Sequence, residues 1–330
     1  MTYGYSTFTM LPHAYYRYFL WIAIAATFFL LASEFASLQS RQQRPAAESA
    51  ETPVGSIHPP ASEIPIPRQI WQIFFAPPGV KTLNKGSTYA SDWVSMAPGY
   101  GYALLGNEEA TAFVDGSFAS RPEIATTFHA LKNPALKSDF LRYLLLWHRG
   151  GTYSDMDTRP LVPVEDWLPA EKRREIGLIV GLEWDAVRDG HYADWTRDVQ
   201  FCQWTIAAAP NHPVLARIVN HTIAALSYVA LQQGRTLDQA DFSDFQILNS
   251  TGPLAWTDVV FESIRERDPQ VSGVSDFLGL RSPRYIGDIV VLPVESFRAE
   301  FADEWGLNSW RKNRRALVRH YYNGGWKTHD

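Results

Sequence analysis

Two carboxylates that lie one residue apart, those of Asp155 and Asp157, are the side chains best placed in this sequence to do chemistry. In an extended segment the side chains at positions i and i+2 point the same way, so both carboxylates can face one cation or one polyol. Carboxylate oxygens are hard ligands that suit Mg²⁺ or Mn²⁺, especially where phosphate oxygens complete the coordination shell. The spacing therefore predicts a cation site or a polyol site.

The stretch before the two aspartates predicts a helix that positions them. Apolar residues recur at helical spacing over 136–147, which indicates a broad buried face. Asp139 and Arg142 lie three residues apart on the other side, where they can form a surface ion pair. The glycine pair at 150–151 favours a left-handed backbone that ends the helix, and 152–154 then form a short extended exit.

The Asp-x-Asp spacing alone has other interpretations. Such pairs are common in caps, turns and solvated surface. Phosphatases with an aspartyl nucleophile also use it, but they require a long apolar strand before the pair and a small hydroxyl residue or valine two residues after it. Here Gly-Gly-Thr-Tyr-Ser precedes the pair and Arg159 follows it. The sequence also contains no glycine-rich phosphate loop, dinucleotide fingerprint or nucleophile elbow.

Composition narrows the class of protein. The chain has 330 residues and a net charge of −5, with basic and acidic residues mixed and no basic run, so nucleic acid is not an expected partner. The 12 tryptophans could stack on sugars or on a base, although most aromatic residues belong to cores. Cys202 is the single cysteine, which excludes an internal disulfide and a cysteine zinc cluster.

The N-terminal fifth of the chain predicts a membrane anchor and a stem. Residues 18–33 carry no charge, and aromatic and apolar neighbours extend this run to 15–38, the length of a bilayer span; a cleaved signal peptide is the alternative. Residues 39–66 are proline-rich without an apolar period, as is typical of an extended stem. The prediction is a cytosolic tail at 1–14, a signal-anchor at 15–38, a stem at 39–66 and a folded domain at 67–330.

The folded domain is predicted to be α/β. Strands are predicted at 68–75, 102–105, 176–182, 199–207, 288–294 and 315–322, and helices near 108–113 and 123–131 and over 212–231 and 253–265. Strands that alternate with helices favour a largely parallel sheet. In such sheets ligands bind beyond the carboxyl ends of the strands, where the aspartate pair would lie.

The stretch LKSDFLRYLLLWHRGGTYSDMD at 136–157 resembles the sugar-nucleotide signature of family 32 glycosyltransferases, which is also similar to that of the large glucosylating toxins. The resemblance continues through IPRQIWQ at 66–72, GLEWD at 181–185, DWTRDVQFCQWTIAAAPNHP at 194–213, TGPLAWTDVVFE at 251–262 and HYYNGGW at 320–326. It covers the whole domain and implies a GT-A-like fold. The family often has a serine where this chain has Gly325, so one phosphate contact is in question.

The resemblance implies roles for individual residues. Asp157 would bind Mn²⁺ (or Mg²⁺), and Asp155 would contact the donor. Asp139 and Arg142 would hold donor sugar hydroxyls. His320 is the candidate for a further metal ligand, since imidazole with carboxylate suits Mn²⁺; its alternative is a packed or surface histidine.

Further residues are predicted around the donor and the acceptor. The donor side would include Trp71 and Gln72 beside the guanine, with a core position as the alternative for Trp71, and the loop formed by Thr251, Gly252 and Pro253. Glycosylation of the sequon at Asn249 would crowd that loop, so this sequon is expected to be unused. Glu183 and Asp185 are the candidate carboxylates for catalysis by double displacement or for orienting the acceptor. Front-side attack assisted by the leaving phosphate would require neither.

The function implied by the resemblance is a retaining, metal-dependent glycosyltransferase. It would move mannose from GDP-mannose to an N-linked glycan in α-1,6 linkage, as a single-pass type II Golgi membrane protein with a lumenal catalytic domain. One alternative keeps the donor and changes the acceptor to inositol phosphoceramide. An alternative of another class is an inactive, membrane-tethered carbohydrate-binding protein.

Overall fold

The computed structural model describes residues 66–75, 89–190, 197–298 and 316–322. The predicted cytosolic tail, the signal-anchor and nearly all of the stem lie outside the described residues, as does Gly325.

Ten strands are present in the described part of the chain. They are β1 (Gln69–Ile73), β2 (Gly101–Leu105), β3 (Gly151–Ser154), β4 (Thr158–Pro160), β5 (Leu178–Asp185), β6 (Val199–Phe201), β7 (Thr205–Ala208), β8 (Arg284–Ile286), β9 (Ile289–Leu292) and β10 (Val318–His320). Eight of them form one sheet in the order β2-β1-β3-β7-β5-β9-β8, with β6 paired to β5. Strands β4 and β10 form a separate antiparallel pair.

The strand directions confirm an α/β domain with a mainly parallel sheet. Strand β1 is parallel to β2 and β3, and β5 is parallel to β9. Strand β7 runs antiparallel to both β3 and β5, so β1, β2, β3, β5 and β9 all point the same way. Strands β6 and β8 are antiparallel to their neighbours and make the sheet mixed. The carboxyl ends of β3 and β5 therefore lie at the same edge of the sheet.

Nine α-helices accompany these strands in the described ranges. They are α1 (Ala90–Met96), α2 (Asn107–Ser117), α3 (Pro122–Ala130), α4 (Pro134–Arg149), α5 (Ala186–Asp189), α6 (Pro213–Gln232), α7 (Asp244–Ser250), α8 (Pro253–Arg267) and α9 (Val294–Phe297).

Both faces of the sheet are covered. Because side chains alternate along a strand, β5 contributes Leu178, Val180 and Leu182 to the core that α4, α6 and α8 complete. Ile179 points the other way, into a second cluster with Trp93 and other aromatic residues. Burial on both faces explains why β5 is an almost continuous apolar run.

Helix α4 has clear start and stop signals in its sequence. The Asn133 side chain accepts hydrogen bonds from the N–H groups of Ala135 and Leu136, at 2.8 and 3.4 Å, and Pro134 occupies the first turn. The helix ends at Gly150 and Gly151, whose φ angles of 65° and 104° confirm the predicted left-handed glycine pair. Strand β3 then runs directly to the two aspartates.

The prediction of one strand over 199–207 is wrong. Strands β6 and β7 are separate, because Cys202, Gln203 and Trp204 leave the extended path between them. Strand β6 pairs with the end of β5, whereas β7 lies between β3 and the start of β5. A short apolar run does not reveal such an interruption, since its hydrophobicity continues through the break.

Helix α6 is the one described helix that is long and apolar enough, by length and composition, to cross a membrane. Leu215, Ile218 and Leu226 on this helix are fully buried in the core that it shares with α4 and α8. Its apolar character is therefore that of a core helix of this domain.

Replacement of Gly151 by alanine is expected to destabilise the domain more than replacement of Gly99. Both glycines have positive φ, 104° and 83°, and a left-handed L-residue costs about 1 to 2 kcal/mol. A Cβ at Gly151 would also lie 2.6 Å from the carbonyl oxygen of Gln69, whereas one at Gly99 meets nothing within 4 Å. This clash adds roughly 1 to 3 kcal/mol. Urea unfolding followed by tryptophan fluorescence measures both free energies, and equal losses would contradict the tight β1–β3 approach.

Candidate active site

The two aspartates lie in a turn that the backbone holds from both sides. The Asp155 N–H donates to the carbonyl of Trp204 at 2.9 Å, and the Asp155 carbonyl accepts from the N–H of Thr158 at 3.2 Å. The Asp157 carbonyl accepts the N–H of Tyr321 at 2.9 Å. The segment 155–157 is thus a turn and not the extended segment that the sequence predicted. The carboxylates converge because the turn aims them, with no help from strand alternation.

The predicted meeting of His320 with the aspartates is present. Strand β10 pairs with β4 so that His320 lies opposite Thr158. His320 Nε2 lies 3.0 Å from Asp157 Oδ1, and one ligand atom each from Asp155, Asp157 and His320 lie within 4.8 Å of one another. His320 thus lies beside Asp157 as predicted, and its part as a metal ligand stays a prediction.

These three side chains fit a divalent cation. Two carboxylates and an imidazole are a donor set that suits Mn²⁺ and related ions. Neighbouring ligands of an octahedral ion with bonds of about 2.1 Å lie about 3 Å apart. The 3.0 Å separation of His320 Nε2 and Asp157 Oδ1 matches that spacing.

The His320 ring is fixed by aromatic packing. Its centroid lies 4.4 Å from the Trp204 ring and 4.0 Å from the Tyr322 ring. His320 Nδ1 is buried and has no hydrogen-bond partner among the described residues. Tyr322 has a φ of 50°, which is uncommon for a residue other than glycine.

A buried charge network lies beside the aspartate pair. Arg142 forms an ion pair with Asp139 at 2.8 Å and approaches Asp155 Oδ1 at 3.4 Å; the Arg142 side chain is only 6% exposed. Its guanidinium also donates to the carbonyl of Gln203 at 3.1 Å and lies over the Tyr153 ring at 4.8 Å. The alternative of a surface ion pair for Asp139 and Arg142 is therefore wrong.

Burial and charge set the protonation states of this network. Burial raises the pKa of Asp139 to about 6, although Arg142 and the Thr251 hydroxyl oppose this. Burial disfavours the charged form of Arg142, but Asp155, Tyr153 and Asp139 together raise the pKa of its guanidinium above the ordinary value. Burial also raises the pKa of Tyr153, whose hydroxyl donates to Asp155 Oδ1 at 2.5 Å. Arg142 thus stays positively charged beside Asp155, and Tyr153 remains a hydrogen-bond donor to it.

The predicted loop at 251–253 lies next to this network. The Thr251 hydroxyl donates to Asp139 Oδ2 at 2.9 Å. The Thr251 carbonyl accepts from the Tyr143 hydroxyl at 2.8 Å and from the Gln203 amide at 2.9 Å. Gly252 permits the close passage of α7, since a Cβ there would lie 2.7 Å from Leu248 Cα. Pro253 then begins α8.

Gln72 and Trp71 have different surroundings. The buried Gln72 amide donates to the Asp155 carbonyl at 2.9 Å, and the Tyr102 hydroxyl donates to Gln72 Oε1 at 2.8 Å. The Trp71 indole donates instead to the Gly150 carbonyl at 2.8 Å, at the amino end of β3. The structure therefore brings Gln72 to the aspartate turn and leaves Trp71 against the glycine pair and the core.

Glu183 and Asp185 both lie at the carboxyl end of β5 but make different contacts. Glu183 accepts hydrogen bonds from the Trp204 indole at 3.0 Å and from the Gln200 amide at 2.9 Å. Asp185 is buried, and its two carboxylate oxygens accept the N–H groups of Val187 and Gly279 at 3.0 and 2.7 Å. Asp185 thus has the contacts of a residue that anchors loops, and a part in catalysis for either carboxylate stays a prediction.

Sequence reasoning missed Tyr153, Gln203 and Trp204. Tyr153 precedes Asp155 by two residues, so the alternation that was applied to the aspartates could have placed the Tyr153 side chain beside Asp155. Gln203 is a polar residue inside an apolar run, which is a signal for a break in a strand. Nothing in the sequence pattern indicates that Trp204 contacts His320.

Comparison with known proteins finds a family model that matches the region of the aspartate pair. Residues 84–174 match the family model described as the glycosyltransferase sugar-binding region containing a DXD motif. The matched range includes Asp139, Arg142, Asp155 and Asp157.

Two curated relatives are both named initiation-specific alpha-1,6-mannosyltransferase. The Schizosaccharomyces pombe protein is 35% identical over 265 residues, which cover 79% of this chain and 64% of that protein. The Candida albicans protein is 31% identical over 288 residues, which cover 80% of this chain and 72% of that protein. The chain thus spans less than two thirds of the length of the first relative.

A solved structure, the PaToxG glycosyltransferase, is 18% identical with a TM-score of 0.41, and the match covers 63% of this chain and 73% of that one. This distant likeness adds nothing to the assignment, which rests on the family model and the curated relatives. Because residues 84–174 match the family model and 79 to 80% of the chain aligns with the two relatives, the chain belongs to the glycosyltransferases whose sugar-binding region contains a DXD motif.

Proposed function

We propose that this protein is a hexosyltransferase that moves mannose from GDP-mannose to an N-linked glycan in α-1,6 linkage. The observation that carries the proposal is the convergence of Asp155, Asp157 and His320 within 4.8 Å beside a buried guanidinium. A carbohydrate-binding protein without turnover needs no such metal-phosphate site. The names of the two relatives support mannose as the transferred sugar and α-1,6 as the linkage.

Asp157 and His320 would hold Mn²⁺ (or Mg²⁺), with Asp155 beside them. When bound, the ion would neutralise the negative charge that grows on the departing GDP. The turn at 155–157 keeps these carboxylates in place through its backbone hydrogen bonds, so little reorganisation is needed when the donor binds.

Asp139 and Arg142 would bind hydroxyl groups of the donor sugar. A carboxylate accepts and a guanidinium donates, so the pair can recognise hydroxyls of fixed orientation. Arg142 Nε is buried without a hydrogen-bond partner among the described residues. A buried donor of this kind is costly unless a ligand satisfies it, which supports a sugar-binding part for Arg142. The loop of Thr251, Gly252 and Pro253 would close the same side.

The nucleotide would lie toward the carboxyl end of β1. Gln72 supports this placement of the nucleotide, because its amide donates a hydrogen bond to the Asp155 carbonyl. Trp71, predicted to border the guanine, donates to Gly150 at the other end of β3, so its contact with the nucleotide has less support.

The acceptor would approach from the carboxyl end of β5. Glu183 is only partly buried there, and two side-chain donors orient its carboxylate. Retention of the α configuration follows from the family resemblance, and Glu183 is better placed than Asp185 to meet an acceptor hydroxyl because the Asp185 oxygens already bind backbone N–H groups.

The apolar run at 15–38 and the stem at 39–66 complete the proposal. They would anchor the protein in the Golgi membrane as a single-pass type II protein and hold the catalytic domain in the lumen.

A donor and acceptor panel tests the proposed function. The full-length chain, purified in mild detergent with Mn²⁺, is offered GDP-mannose, GDP-fucose or UDP-glucose together with an N-glycan or with inositol phosphoceramide. Mass spectrometry should detect one added hexose on the N-glycan with GDP-mannose alone, in α-1,6 linkage by methylation analysis. Transfer to inositol phosphoceramide alone would contradict the acceptor, and no nucleotide release from any donor would contradict an enzyme.

Removal of a metal ligand is expected to weaken Mn²⁺ binding and turnover together. Mutation of a residue that only hydrogen-bonds a metal ligand typically lowers metal affinity about 10- to 100-fold. Loss of a ligand itself, in Asp157→Asn or His320→Gln, should therefore lower Mn²⁺ affinity at least about tenfold. Electron paramagnetic resonance of free Mn²⁺ measures this loss. His129→Gln is the matched control, since His129 pairs with Asp115 on the surface. Unchanged Mn²⁺ affinity in both ligand variants would exclude this site as the metal centre.

Removal of the Thr251 hydroxyl is expected to shift the acidic limb of activity to higher pH. Sugar binding requires ionised Asp139, whose pKa is about 6, so activity should fall as the pH drops through this value. The Thr251 hydroxyl favours the ionised form, so Thr251→Val should raise the Asp139 pKa further. The pH profile of kcat/KM for GDP-mannose measures the shift.

Two controls accompany this pH experiment. Thr251→Ser keeps the hydroxyl and should keep the profile of the parent protein. Asn249→Gln removes the sequon that Thr251 completes and reports any effect of a lost glycan. An acidic limb that does not move in Thr251→Val would contradict a role for ionised Asp139.

A further inference from the structure

Trp204 contacts three of the site residues through three different groups. Its carbonyl accepts the Asp155 N–H at 2.9 Å. Its indole N–H donates to Glu183 at 3.0 Å, and its ring lies 4.4 Å from the His320 ring. Trp204 is 5% exposed, so these contacts are made within the protein interior. One residue thus joins the aspartate turn, the imidazole and the carboxylate at the end of β5.

The ring contact replaces an interaction that metal-binding histidines ordinarily have. Such a histidine usually donates its second ring N–H to a carboxylate or carbonyl, which fixes the plane of the ring. His320 Nδ1 has no hydrogen-bond partner among the described residues. The flanking rings of Trp204 and Tyr322, at 4.4 and 4.0 Å, therefore restrain the imidazole together with the contact of Nε2 with Asp157 Oδ1 at 3.0 Å. Tyr322 is 49% exposed, so the buried Trp204 ring is the firmer of the two supports.

The indole contact restrains the candidate acceptor carboxylate. The Trp204 N–H bonds Glu183 Oε1, and the Gln200 amide bonds Glu183 Oε2. Two donors on the two oxygens define the plane of the carboxylate, and a hydrogen bond to an ionised group is stronger than one between neutral groups. The same indole that packs on His320 therefore also orients Glu183.

We propose that Trp204 is a positioning residue that sets the orientation of both His320 and Glu183, and so aligns the cation with the acceptor-side carboxylate. This inference rests on the proposed function and extends it to a residue outside the predicted site. The alternative is that Trp204 serves only to fill the core, since it also packs near Phe297. The positioning role and the structural role predict different results for a Trp204 variant that keeps an aromatic ring and loses the N–H.

Two substitutions separate the functions of the Trp204 side chain. Trp204→Phe retains an aromatic ring and removes the N–H donor, so Mn²⁺ affinity should stay close to that of the parent protein while kcat falls about tenfold. Trp204→Leu removes the ring as well, so Mn²⁺ affinity should also fall about tenfold. Electron paramagnetic resonance of free Mn²⁺ measures the affinity without any donor or acceptor, and steady-state kinetics with GDP-mannose measures kcat.

Glu183→Gln tests whether the indole acts through the carboxylate. If it does, the double variant Trp204→Phe with Glu183→Gln should be no slower than Glu183→Gln alone. Trp167→Phe is the matched control, since Trp167 is also buried, packs on Phe297 and donates its indole N–H to a carbonyl, that of Val162. Circular dichroism and thermal unfolding verify that each variant is folded.

The inference is overturned if Trp204→Phe and Trp204→Leu weaken Mn²⁺ binding equally, or if both match Trp167→Phe in every measurement. Fully additive effects of Trp204→Phe and Glu183→Gln would overturn the link to the carboxylate. Failure of the proposed function looks different: the parent protein would bind Mn²⁺ and transfer no mannose, and the metal titrations of the Trp204 variants would still decide the part of the ring. A parent protein that binds no Mn²⁺ would overturn both.

Discussion

The site depends on a positive charge that is buried in the protein, that of the Arg142 guanidinium. Its side chain is 6% exposed, and Asp139 and Asp155 are the carboxylates that compensate its charge, at 2.8 and 3.4 Å. Breaking a buried pair by removing one partner typically costs about 3 to 5 kcal/mol, because the remaining charge stays buried and uncompensated. Helix α4, which carries Asp139 and Arg142, therefore cannot move independently of the turn after β3. This coupling fixes the position of Asp139 and Arg142 relative to the aspartate turn at 155–157.

The irregular segment between β6 and β7 extends this coupling to the rest of the domain. Three successive carbonyls in it accept hydrogen bonds from different elements: Cys202 from Trp256, Gln203 from Arg142 and Trp204 from Asp155, at 3.0, 3.1 and 2.9 Å. In a continuous strand these carbonyls would pair with a neighbouring strand. The break releases them, and those of Gln203 and Trp204 then fix Arg142 and the Asp155 turn, while that of Cys202 binds the core residue Trp256.

The local sequence predicted the elements around the aspartates well, because their signals are short-range. The apolar period of α4, the glycine pair at 150–151 and the extended exit all follow from residues within one or two turns of one another. The resemblance to a known family added His320, which periodicity cannot connect to Asp157. Neither source predicted the break at 202–204 or the contact of Trp204 with His320. Both features depend on how distant strands meet, and strand pairing over long sequence separations leaves no pattern in a single sequence.

The pairing of β10 with β4 has a consequence for folding. Asp157 and His320 are 163 residues apart in the chain, so their contact requires closure of a very long loop, which costs conformational entropy. The cation site therefore exists only in chains whose C-terminal strand has docked. An ion that binds both residues stabilises the docked state by mass action. The concentration of that ion in the surrounding compartment would then set the fraction of chains in which β10 is paired with β4.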